Sequence, residues 1–73
     1  MTHQRMYQAI VCVLRATQTI SQHLEPSTAA HIQERIENLT EASLAALENR
    51  DNKTLRTLCD EVTLLGSEVK ALL

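Results

Sequence analysis

The chain has 73 residues, a formal net charge of −2, one aromatic residue (Tyr7), one glycine (Gly66) and one proline (Pro26). That length allows a single small domain. Without aromatic and β-branched runs punctuated by glycine or Asn-Gly turns, a sheet-built core is excluded, and the mildly acidic balance argues against nucleic acid as the default partner. An all-α fold follows, with a core of Leu, Ile, Val, Ala and Met. Such residues individually bury less area than aromatics, and a domain this small commonly gains further stability by binding something.

The first segment, residues 3–24, carries Met6, Ile10, Val13, Thr17, Ile20 and Leu24 at steps of four and three, the spacing of one helix face. Tyr7, Val11 and Leu14 widen that stripe, which predicts contact with more than one neighbour. The β-branched Ile10, Val11, Val13, Thr17, Thr19 and Ile20 weaken helix propensity, so this helix depends on packing; a short strand over Ala9–Leu14 is the rival assignment. The same six-residue run is too short for a signal peptide's apolar region with its cleavage site, and shorter still than a membrane span, so a cytoplasmic, reducing location is expected.

Glu25-Pro26-Ser27 ends that helix. Pro26 disfavours helical geometry at Glu25, after which Ser27 or Thr28 can cap the next helix, or Pro26 can itself occupy the first turn. The second segment, residues 28–49, aligns Ala29, Ile32, Ile36, Leu39, Ser43 and Leu47 on one face and leaves Leu44 more than a quarter turn off it. Asn49-Arg50-Asp51-Asn52 makes a softer break, with Asp51 the expected N-cap; the rival is one continuous helix from Ser27 to Leu73. The seams on either side of this break are about 80° out of phase, which favours a turn.

The third segment, residues 52–72, holds the clearest pattern in the chain. Leu55, Leu58, Val62, Leu65, Val69 and Leu72 fall at alternating steps of three and four, and Cys59, Gly66 and Leu73 form a parallel row seven residues apart. Glycine inside a helix costs about 1 kcal/mol relative to alanine, so Gly66 is read as a point of close approach by another helix. The three segments predict amphipathic helices of roughly 30 Å each, arranged as an antiparallel helical hairpin or three-helix bundle in one domain, residues 1–73. Segments two and three match a tetratricopeptide repeat in length but lack its aromatic and Gly–Tyr signature.

Charge is unevenly spread. Residues 1–24 carry Arg5 and Arg15 and no acid, whereas residues 25–49 carry Glu25, Glu34, Glu37, Glu41 and Glu48 against Arg35. Pairing between the first two segments is therefore expected, orienting them more than stabilising them. Cys12 and Cys59 are read as buried free thiols, although a disulfide is possible where their Cα atoms come within about 7 Å.

Chemistry is sparse. His3, His23 and His31 offer no pair at i and i+4, and there is no CxxC clip, so no metal site is expected. Glu34, Glu37 and Glu41 share a helix face that reads as solvated rather than catalytic. No nucleophile elbow and no glycine-rich phosphate loop occurs, so neither enzymatic activity nor a cofactor is expected. Arg50, Lys53 and Arg56 cluster within about one turn, as on a DNA-reading helix, but Asp51, Asp60 and Glu61 surround them. A small DNA- or transcription-factor-binding regulator is the alternative function.

Helix-mediated partner binding or self-association is the positive reading. The apolar surplus at Val11, Leu14, Leu44, Leu64 and Leu73 exceeds what one three-helix seam needs. The partner-binding residues are expected to be Leu55, Leu58, Val62, Leu65, Gly66, Val69 and Leu72 on the third helix, with Val11, Leu14 and Leu44. Three stretches carry a family likeness: the polar start Met1-Thr2, the helix ending at the Leu24–Ser27 break, and the amphipathic close Thr54-Leu55 through Leu65-Gly66-Ser67-Glu68-Val69-Lys70. In size and pattern these resemble the YscE-like co-chaperones of type III secretion systems. The resemblance implies a cytosolic helical hairpin that pairs with a tetratricopeptide-like protein to hold the needle subunit unpolymerised, without enzymatic activity.

Overall fold

The computed structural model describes residues 2–73; Met1, half of the polar start on which the family likeness draws, lies outside them. Three helices follow in order: α1 (His3–Ser21), α2 (Pro26–Glu48) and α3 (Asn52–Leu72). Each packs against the other two, forming a three-helix bundle of 37 × 17 × 15 Å. Short turns reverse the chain twice, so α2 runs antiparallel to α1 and α3, which lie parallel.

Each boundary has a local cause. Thr2 caps α1, its Oγ1 accepting from the Arg5 N–H at 3.3 Å. The helix stops at Ser21, three residues short of the expected Leu24. His23 and Leu24 donate instead to Ile20 and Ser21 in a tighter i→i−3 turn, because Pro26 forces the chain out of helical geometry at Glu25. Pro26 then occupies the first turn of α2, where its missing N–H leaves nothing unsatisfied, and neither Ser27 nor Thr28 is the cap. α2 closes in a Schellman motif: Asp51 N–H donates to Ala46 O at 2.9 Å and Arg50 N–H to Leu47 O at 3.1 Å. Arg50 sits at the left-handed position with φ 52°, which breaks the helix there and excludes a continuous one. Asp51 caps α3 as expected, accepting from Thr54 N–H at 3.1 Å.

The core runs along the bundle axis. α3 supplies Leu55, Leu58, Val62, Leu65 and Val69, α1 supplies Met6, Ile10 and Leu14, and α2 supplies Ile32, Ile36 and Ala46. Thr17, Ser21 and Ser43 are buried among them, each hydroxyl donating to a carbonyl of its own helix (Val13 O, Gln18 O and Leu39 O) at 2.6–2.7 Å. These small side chains satisfy themselves locally and let the neighbouring helices close in.

The expected α1–α2 charge pairing does not form. Among the described residues the ion pair is Arg35 Nη1 to Glu68 Oε2 at 2.8 Å, between α2 and α3. Arg35 lies on the flank of α2 that turns towards α3, whereas the glutamates Glu34, Glu37 and Glu41 point to solvent. Both partners of the pair remain about half exposed, so it contributes at most about 1 kcal/mol.

Candidate partner-binding surface

The strongest sequence pattern builds the bundle's own interior. Leu55, Leu58, Val62, Leu65 and Val69 are buried against α1 and α2, and Leu14 joins them. A partner meets none of these six in this arrangement. Leu72, the sixth member of the seam, is 55% exposed. A repeat of alternating three and four advances 3.5 residues per turn against the helix's 3.6, so the row drifts about 20° per heptad. By the last turn of α3 it has rotated Leu72 out of the core.

What the bundle leaves uncovered lies on the flanks of its helices. Leu44, Leu64 and Leu73 are 45%, 63% and 67% exposed. Leu64 sits with half-buried Leu39 in the α2–α3 groove, under the Arg35–Glu68 pair. Half-buried Val11 lines the α1–α2 groove with Tyr7 and Leu14. Leu44 stands one turn beyond Thr40, which lines that same groove.

An apolar depression runs between the parallel helices α1 and α3. Cys12, Val13, Ala16 and Ile20 form its α1 wall, and Gly66, Ser67 and Lys70 its α3 wall, enclosing about 390 Å³. Gly66 is its floor. A Cβ placed there would meet Thr17 Oγ1 at 3.5 Å and Val13 Cγ1 at 3.7 Å, ordinary contact distances. Packing of α1 on α3 therefore has room for alanine.

The two cysteines differ from the sequence expectation. Cys12 is exposed at the rim rather than buried, and Cys59 is half-buried; both are free. The Cys59 thiol lies level with Met6, its Sγ 3.8 Å from Met6 O. Cys12 is six residues further along α1, about 9 Å by helical rise, beyond disulfide reach. Burial, then the Asp60 carboxylate, pushes the Cys59 thiol above its ordinary range and keeps it protonated.

Gly66, Val11 and Leu14 are the expected partner residues that line a groove, Leu14 as an almost fully buried base; Leu44 and Leu72 are merely exposed. Cys12, Ala16, Ser67 and Lys70 went unread. Their signal was weak: small residues at heptad spacing, Ala9 and Ala16, facing the Gly66 row. Among the described residues no helix is long and apolar enough to cross a membrane. No protein-family model, curated protein or solved structure matches the chain.

Proposed function

We propose that the protein is a non-enzymatic helical interaction module, in its most concrete form a cytosolic co-chaperone that binds a partner protein of a type III secretion system. The observation that carries this reading is the α1–α3 groove, an apolar channel floored by Gly66 that the chain's own helices leave open. A groove between two parallel helices is a recurring seat for the apolar ridge of a further helix, and the small residues on its walls, Ala16, Gly66 and Ser67, allow close backbone approach. Exposed Leu72 and Leu73 at the end of α3 add further apolar surface outside the groove. The co-chaperone form rests on the likeness in size and segment pattern described above, and within it the partner is a tetratricopeptide-like chaperone.

Affinity capture from the native host, followed by reconstitution with the purified partner, tests the reading. The expected result is a stoichiometric complex with a helical-repeat protein whose affinity falls with salt far less steeply than a nucleic-acid complex's, because apolar contacts carry most of it. A chain that instead retards duplex DNA, with affinity falling steeply as salt rises, is a nucleic-acid regulator and the interaction reading fails.

A further inference from the structure

The charges around the α1–α3 groove specify its occupant more narrowly than its apolar lining does. Lys70 lines the groove, and no carboxylate does. Arg56 stands two heptads before Lys70 on the same row of α3, through Thr63, and Arg5 stands one heptad before Cys12 on α1. All of α1 is free of acid. Asp60, one heptad before Ser67 on the outer rim, is the opposing charge, and it makes no ion pair with Arg56 among the described residues. Lys53 stands one heptad before Asp60 on that row, so four cations against one carboxylate frame this face of a chain whose net charge is −2.

A second copy does not match this pattern. Groove-to-groove pairing about a two-fold axis would set the cationic rim of one copy, Arg5, Arg56 and Lys70, against the cationic rim of the other. The glutamate-bearing outer face of α2 has the right charge, but it lies on the opposite side of the bundle. Its contact with a groove would be head-to-tail, giving a ring or a filament rather than a closed two-fold dimer. Gly66 lines the groove beside Val13 and Thr17, where the lack of a side chain exposes the α3 backbone to an approaching ridge.

Resting on the interaction reading, we propose that the α1–α3 groove binds a single amphipathic helix of a different protein, its apolar ridge over Gly66 and its flanks acidic towards Arg5, Arg56 and Lys70. The test is an NMR titration of the isotope-labelled full chain with a synthetic helical peptide bearing a Leu/Ala ridge and glutamate flanks, and with the same peptide carrying lysine for glutamate. The expected result is shifts confined to the neighbourhood of Cys12, Ala16, Gly66 and Ser67. Affinity should fall at least tenfold for the lysine peptide, and again for the Arg56→Glu/Lys70→Glu variant. Gly66→Gln, which keeps helix propensity and room at Cβ but fills the channel, should retain the helical spectrum and lose the shifts.

Equal affinity for both peptides, shifts centred on Leu64, full binding by Gly66→Gln, displacement of the peptide by duplex DNA, or a groove-mediated homodimer in sedimentation each overturns the proposal. The two readings separate in a second arm. A purified native partner that binds wild type and Gly66→Gln alike removes the groove assignment and leaves the interaction module standing. A wild-type chain that neither binds a host protein nor shifts with the peptide removes both.

Discussion

Arg50 holds a backbone conformation that L-residues avoid, φ 52°, because the Schellman turn after α2 needs a left-handed residue and the sequence supplies no glycine there. Its neighbour Asp51 anchors the start of α3 through the Thr54 amide and hydroxyl. The first feature costs stability and the second adds to it. Arg50→Gly should stabilise the fold by about 0.5–1 kcal/mol, the relief of left-handed strain being partly offset by the freer unfolded chain, and denaturant titration reads it. Asp51→Ala should lower the melting temperature by a few degrees at neutral pH. The hydrogen bonds from Thr54 hold the Asp51 carboxyl below its ordinary 3.8. A carboxylate with a depressed folded-state pKa contributes stability above the unfolded value and loses it as pH falls through the folded one. The gap between wild type and Asp51→Ala should therefore be constant from neutrality down to about pH 5 and close below about pH 4. A gap that persists at pH 2 would mean the cap does not act through its charge.

Adjacent positions on α3 separate what the helix does for itself from what it offers outward. Leu65 is fully buried and Leu64 is 63% exposed. Leu65→Ala should cost about 2–5 kcal/mol, comparable to the roughly 3–5 kcal/mol that a core of this size supplies, and leave a chain that is largely unfolded at 37 °C by circular dichroism. Leu64→Gln should stay within about 0.5 kcal/mol of wild type. Gly66→Ala should stabilise the helix by about 1 kcal/mol, because its Cβ meets only ordinary contacts. The three helices were legible because each carries a 3.6-period stripe, and α3 most clearly because its core face is almost wholly Leu and Val. Leu24 extended the apparent period of α1 past its end, since apolar spacing carries no information about the constraint Pro26 places on Glu25. Ala46 went unnoticed in the core of α2 because a single methyl gives little hydropathy contrast. The assignment of the α3 seam to a partner had a general cause: a stripe shows that a face will be covered and says nothing about what covers it. The α1–α3 groove was illegible for the converse reason. Its wall residues on α1 and α3 lie more than 40 positions apart in sequence, brought level by a tertiary offset no local pattern records, and only Gly66 hinted at it.

At the scale of the molecule, every helix needs the other two. α3 packs on both α1 and α2, α1 and α2 pack on each other, and none buries its apolar face alone. A bundle built this way should unfold as one cooperative unit. Tyr7, the only aromatic side chain, is a natural probe of the claim. It is half-buried in the α1–α2 groove with Ile36 and Thr40. Its fluorescence reports docking of α1 on α2, whereas far-ultraviolet circular dichroism reports helix content from all three elements. The two thermal transitions should superimpose, with equal midpoints and equal van't Hoff enthalpies. The weak β-branched propensity of α1 supplies the competing outcome, in which Tyr7 is released first while α2 and α3 remain a helical hairpin. An early Tyr7 transition would show that α1 detaches on its own, exposing Leu55, Leu58, Val62 and Leu65 and returning the buried seam to the set of surfaces a partner can reach.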